Sequence, residues 1–269
     1  SSLKTVDKIG FEQVRTMQMD TYNESAHQLA KEFARLLRMS GEAEIPMEHQ
    51  SLADQLLQWN GRFDADNQEA VSFQLFYYHF ATSFYRQTRA KAFAERILNS
   101  DHLISFLLAD IPLADTKVVN KSLHKALSKT ASQARKYPTW GDLHQLNLAH
   151  SLGRIPLVGK RFQFGTLPVS GSNNTLLKTA HQLTNKAHNT TYGANSRMVV
   201  FMHDPNANYF ILMGGQDGWI GSPALTDQVP LWQKGEYLKL PLLWEDVKKE
   251  FKHHKFLAPK VGVICATAR

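Results

Sequence analysis

The chain has 269 residues, 43% of them hydrophobic, and a formal net charge of +7. That length suffices for one large domain or two small ones with a substantial core. No apolar run approaches membrane-spanning length, so no membrane partner is expected. The single cysteine, Cys265, excludes an intrachain disulfide framework and a cysteine-rich zinc site.

The opening Ser1-Ser2-Leu3-Lys4-Thr5 lacks the shape of a signal peptide. Residues 11–38 read as helix, because Val14, Met17, Tyr22, Leu29, Phe33, Leu36 and Leu37 recur at spacings near 3.6. Residues 41–48 are expected as a loop around Pro46, and 50–58 as a short helix anchored by Trp59 and ended by Gly61. Asp64-Ala65-Asp66-Asn67-Gln68-Glu69 lacks the mid-loop glycine and distal acid of a calcium loop. Asp66 with Glu69 three residues on reads instead as a helix cap. The helix that follows carries Phe73, Phe76, Tyr77, Phe80, Phe84 and Tyr85 at three-and-four spacing, the mark of a core face. Residues 90–109 and 117–135 are two further helices, separated by Pro112.

Beyond residue 137 the pattern changes to short extended runs. Residues 162–167 are extended, and a Gly/Ser/Asn turn follows, Gly171-Ser172-Asn173-Asn174. The runs Arg197-Met198-Val199-Val200-Phe201 and Tyr209-Phe210-Ile211-Leu212-Met213 flank Asp204-Pro205-Asn206 and read as a hairpin. Gly214, Gly215, Gly218 and Gly221 then form a shaped loop, expected to need backbone angles closed to other residues. A helical turn ending at Gly235, a short helix over 244–254 and a last buried strand over 261–266 complete the chain. The strand reading makes Cys265 a packed thiol.

The basic residues are dispersed over helix faces, from Arg86 and Arg89 through Lys117, Lys121, Lys125 and Lys129 to Lys248, Lys249, Lys252 and Lys255. No exposed aromatics interleave with them, so no nucleic-acid partner is expected. Patterns for a zinc protease, a nucleophile elbow, a phosphate-binding loop and a paired-cysteine motif are absent. His144 is a candidate base, or a histidine fixed by its turn beside Trp140; the second reading is favoured, with no carboxylate or nucleophile at a supporting spacing. Asn173 and Asn174 are candidate substrate-binding amides, or caps of their own turn; the turn is favoured. The pair His253-His254 lies at a basic helix end and does not suggest a metal.

Over residues 192–237 the chain resembles the closing stretch of the β-chain of penicillin acylase-type amidases. The residues that carry this are Gly193-Ala194-Asn195-Ser196-Arg197, Gly214-Gly215-Gln216-Asp217-Gly218, Ser222-Pro223 and Asp227-Gln228, Trp232, Gly235 and Tyr237. Earlier segments match in order. Met17-Gln18-Met19-Asp20 with Tyr22 resembles M-Q-x-D-x-Y, and Leu56, Trp59, Asn60 and Gly61 resemble L-x-x-W-D-G with asparagine for aspartate. Trp140-Gly141 with His144 resembles W-G-x-x-H, and His150, Leu152 and Gly153 follow as H-x-L-G. Pro168, Gly171 and Thr175 resemble P-x-x-G-x-x-x-T. Phe201 departs from the pattern where aspartate is common, as does Ala224-Leu225-Thr226 where an aromatic often precedes the Asp-Gln pair.

The resemblance implies an N-terminal nucleophile hydrolase, an α+β protein built as a four-layer αββα sandwich. Residues 1–137 would form its mainly helical region, and 138–269 a β-rich region of the same domain with antiparallel strands. It implies cleavage of the amide of an acylated amine, such as a β-lactam side chain or an acyl-homoserine lactone. The nucleophilic serine, the oxyanion asparagine and the calcium-binding acids of the family lie upstream of the segment matched here, so no catalytic residue, cofactor or metal is expected within this chain. Ser1-Ser2-Leu3-Lys4 does not match the nucleophile start, and Ser1 as a terminal nucleophile is a lesser alternative. The partners implied are the upstream part of the β-chain and the α-chain of the same precursor, and the location periplasmic or secreted. The competing expectation is a non-catalytic scaffold or interaction protein sharing the fold.

Overall fold

A computed structural model describes residues 9–39, 47–190, 192–253 and 255. Ser1, Pro46, His254, Cys265 and the expected strand over 261–266 lie outside the described residues.

The chain is mixed α+β. Helix α1 (Phe11–Gln18) and helix α2 (Glu24–Met39) replace the single helix expected over 11–38. The break is tertiary in origin. Thr21 Oγ1 donates to Asp64 Oδ1 at 2.5 Å, Asp20 receives Arg62 at 2.9 Å, and Tyr22 pairs with Arg62 as an isolated bridge. Asn23 Oδ1 then accepts the N–H of Ala26 and restarts the helix. Helix α3 (Met47–Gln58) is longer than expected. Helix α4 (Gln68–Thr88) is the spine: thirteen of its residues, Phe73, Phe76, Phe80, Phe84 and Tyr85 among them, are buried. Its cap is Asn67, whose side chain accepts from Ala70 N, rather than the expected Asp66.

The helix expected over 90–109 divides into α5 (Lys91–Leu98) and α6 (Leu103–Asp110). The break falls at Asn99-Ser100-Asp101-His102, where Asn99 bonds back to the Glu95 carbonyl and Ser100 Oγ accepts His102 N–H. Helix α7 (Thr116–Ala134) packs along α4, and its cap is Asp115, accepting from Lys117 N. Phe33 of α2 meets Phe76 and Phe80 of α4 at 4.9 and 4.8 Å, while Trp59 stacks on Phe73 at 4.4 Å. These rings share one core with buried aliphatic residues such as Leu29, Leu56, Leu107 and Leu123.

Helix α8 (Trp140–Leu143) is a single turn closed by Thr139 and Asp142. It delivers the chain into strand β1 (His144–Ala149), which pairs antiparallel with β2 (Gln163–Pro168). Strands β3 (Thr179–Ala180), β4 (His188–Thr190) and β5 (Tyr192–Gly193) follow. Strand β4 joins β1 in parallel, with His144 opposite His188, and this corrects the expectation of antiparallel strands throughout. Strands β3 and β5 form a two-stranded antiparallel pair.

Strands β6 (Arg197–Val200) and β7 (Asn208–Ile211) form the expected hairpin, ending short of Leu212 and Met213. Helix α9 (Val229–Lys234) stops at Gly235, which adopts the left-handed conformation at φ 70°. Strand β8 (Leu238–Lys239) then completes an antiparallel sheet of order β6-β7-β8. Helix α10 (Trp244–Glu250) is shorter than the helix expected over 244–254.

The glycine loop departs from its expected reason. Of its glycines only Gly221 has a positive φ, 87°. Gly215 is required by space instead, since a Cβ there would stand 2.0 Å from the Ala224 carbonyl oxygen. A second, smaller core of Leu146, Val169, Ile211 and Trp232 lies between the sheets and α9.

Candidate functional site

The first and last of the sequence motifs meet in space and build a scaffold, not a reaction centre. Gln18 donates to the Met198 carbonyl at 3.1 Å and accepts the Tyr237 hydroxyl. Arg197, 4% exposed, donates to the Trp232 carbonyl and lies over the Trp232 and Tyr237 rings at 5.0 and 5.6 Å. Burial lowers the Arg197 pKa, with the Tyr237 hydroxyl opposing that shift. Gln228 Oε1 accepts Leu212 N–H, Asn195 Oδ1 accepts Met213 N–H, and Trp232 Nε1 donates to the Ala194 carbonyl. These side chains satisfy backbone that the short strands leave unpaired.

The chemistry-bearing groups gather where α8, β1, β3 and β4 converge. Trp140 is fully buried; its indole N–H donates to the Gly171 carbonyl at 3.0 Å, and its ring stacks on His144 at 4.8 Å. The turn after β2 is set by Gly171, at φ 97°, where a Cβ would stand 2.0 Å from the Leu177 carbonyl oxygen. Ser172 N–H donates to Thr175 Oγ1 at 2.9 Å, and the Thr175 hydroxyl is itself held by main-chain carbonyls.

The parallel pairing of β1 with β4 brings His144 against His188, and the turn over 181–187 adds His181. Their ligand nitrogens all lie within 4.8 Å of one another, the proximity of a three-histidine metal centre. The ring orientations argue for a different arrangement. His181 and His188 stack in parallel, 4.0 Å apart and 9° from coplanar. An imidazole lone pair lies in the ring plane, so two stacked rings aim at no common point.

The hydrogen bonds give a chain with one sense. The Thr179 hydroxyl donates to the Ser170 carbonyl at 3.0 Å, so its oxygen accepts from His144 Nε2 at 2.8 Å. His144 Nδ1 therefore carries the lone pair and accepts from His188 Nδ1–H at 3.0 Å. His188 Nε2 is left as a buried acceptor with no partner among the described residues. His181 is oriented separately: Nδ1–H donates to the Gln182 carbonyl at 3.1 Å, and Nε2 accepts the Ser172 hydroxyl at 3.2 Å.

Burial pushes His144 and His188 well below the ordinary histidine value, and repulsion from the neighbouring imidazoles adds to it. Burial pushes His181 down to about 4, with the Gln182 carbonyl opposing. All three rings are neutral at pH 7.

In front of His181 lies a cavity of about 320 Å³ between α4, the α5–α6 junction and the turn of Ser172. Its wall includes Phe63, Phe73, Asn99, Ser172, Asn174 and His181. Asn173 and Asn174 both reach it, but in different roles. Asn173 clamps the main chain of His181, donating to its carbonyl and accepting from its N–H at 2.8 Å each. Asn174 is exposed and makes no side-chain hydrogen bond among the described residues. His144 is not part of this wall; its ring lies 5.0 Å from that of His181. Sequence spacing did not find Ser172, His181 or His188. The pairing of β4 with β1 alone brings the last of these to His144, and no local pattern encodes it.

The penicillin amidase family model matches residues 1–249, and the chain belongs to that family. Membership assigns the full protein to the amidase-type hydrolases. No curated protein matches the chain. Among the described residues no helix is long and apolar enough to cross a membrane.

Proposed function

We propose that the chain is the C-terminal segment of the β-chain of a penicillin amidase-type acylase, folded as part of an N-terminal nucleophile αββα sandwich. The upstream part of the precursor would contribute the nucleophilic serine, the oxyanion asparagine and any calcium site. The full protein would hydrolyse the amide of an acylated amine, a β-lactam side chain or an acyl-homoserine lactone, in the periplasm or outside the cell. The helical region up to residue 137 and the β-rich region beyond it would be halves of one domain.

The observation that carries this is the family match over 1–249. Large apolar side chains exposed among the described residues support it. Met198 and Val200 point outward from the edge strand β6, and Met202, Trp219, Leu242 and Trp244 are exposed at 93, 79, 69 and 56%. A strand edge with outward apolar side chains is a surface to be covered by further strands. In this reading Gln18, Arg197, Gln228 and Trp232 hold the scaffold and do not touch substrate.

The test is hydrolysis of an acyl p-nitroanilide by the chain alone and by the chain co-expressed with its upstream segment. Turnover by the assembled protein alone supports the proposal. Failure of the upstream segment to associate, with the chain monodisperse and inactive by itself, would favour a non-catalytic scaffold of the same fold.

A further inference from the structure

We propose that Ser172 and His181 form a nucleophile–base pair, able to take an acyl group from a short, uncharged carboxylic ester. The geometry supplies each part such chemistry needs. Among the described residues the Ser172 hydroxyl makes one hydrogen bond, to His181 Nε2 at 3.2 Å. His181 Nδ1–H is anchored on the Gln182 carbonyl at 3.1 Å, which fixes the tautomer with its lone pair on the serine. Asn173 clamps the His181 main chain from both sides and is a positioning residue. The turn of Ser172 is fixed by Thr175 and by the left-handed Gly171.

The cavity fits the substrate class. At about 320 Å³ it sits at the small end of ligand pockets. Among the described residues Asp101 is the one acidic side chain in its wall, and Phe63, Phe73, Leu103 and Leu183 offer an apolar side for an acyl chain. Asn174, exposed at the cavity, and Gln74 Nε2, buried with no partner among the described residues, are donors available to a carbonyl oxygen.

In the first step the Ser172 oxygen bonds to the ester carbonyl carbon and its proton passes to His181 Nε2. The tetrahedral adduct collapses, the C–O bond to the alcohol breaks, and His181 returns the proton to the departing alkoxide. Water then attacks the acyl-serine, losing its proton to His181, and Ser172 leaves reprotonated. Burial keeps His181 neutral, and so a proton acceptor, down to low pH.

The experiment treats the full chain with a biotinylated alkyl fluorophosphonate and locates the adduct by tandem mass spectrometry. Because the modified peptide is identified, the outcome is independent of any amidase nucleophile upstream. The expected result is an adduct on Ser172, absent in Ser172→Ala and formed at least about 100-fold more slowly in His181→Gln. Far-UV circular dichroism unchanged from the parent confirms that both variants are folded. No adduct on Ser172 in the folded chain, or an adduct forming at the parental rate in His181→Gln, overturns the proposal. An adduct with the expected dependence, together with release of p-nitrophenol from p-nitrophenyl acetate that Ser172→Ala abolishes, establishes it.

Discussion

Replacing Trp140 by phenylalanine tests how the buried tryptophan holds the site together. Trp140 is fully buried, and its indole N–H is the donor at the Gly171 carbonyl, 3.0 Å away. Phenylalanine removes that donor and leaves a buried carbonyl without its partner, which costs about 1–3 kcal/mol. The lost part of the indole leaves a void against His144 and His181, adding about 1–2 kcal/mol. The sum is about 3 kcal/mol. With a urea dependence of about 3 kcal/mol per molar, the unfolding midpoint falls by about 1 M. Gly171 also positions Ser172, so fluorophosphonate labelling of Ser172 slows by about tenfold. Equilibrium urea unfolding followed by circular dichroism reads the first effect. Trp219→Phe, at a residue 79% exposed, is the control and leaves the midpoint in place. A midpoint shift below about 0.3 M for Trp140→Phe would refute the reasoning.

Three further outcomes follow from the same contacts. Gly171→Ala forces a Cβ to 2.0 Å from a main-chain oxygen at a φ of 97°, and the loss of stability exceeds about 3 kcal/mol or abolishes soluble expression; a variant as stable as the parent contradicts the backbone assignment. Asn67→Ala removes the cap of the central helix and lowers stability by about 1 kcal/mol, whereas Asp66→Ala does not, as paired urea titrations should show. His144, His181 and His188 have folded pKa values below the ordinary 6.5, so below that pH the unfolded chain binds protons that the folded chain refuses. Stability is then constant above about pH 7 and falls as the pH drops through 6.5, by about 1 kcal/mol for each histidine between pH 7 and 5.5, and goes on falling toward the His181 value of about 4. An equal urea midpoint at pH 7 and 5.5 would show that the three rings are not buried neutral.

The helical half was legible because its signal is local. The aromatic period of 68–88 exposes its buried face directly. What escaped was set by distant partners. The break at 19–23 depends on Asp64 and Arg62, and the shift of the α4 cap from Asp66 to Asn67 depends on which side chain reaches Ala70 N. Asn173 and Asn174 look alike in sequence, yet one is consumed by the His181 main chain and the other is free. His144 was singled out for its turn, and the structure gives it a partner forty-four residues away through a parallel strand pair. The glycine loop was read as a matter of φ, and for Gly215 it is a matter of close approach.

The most direct measurement of the central proposal is the intact mass and N-terminal sequence of the mature protein isolated from its own source. The account predicts a longer chain that begins at a processed serine upstream and carries these 269 residues within it. A mature chain that begins at Ser1 would contradict it, leaving either a non-catalytic scaffold of the same family or Ser1 itself as the terminal nucleophile.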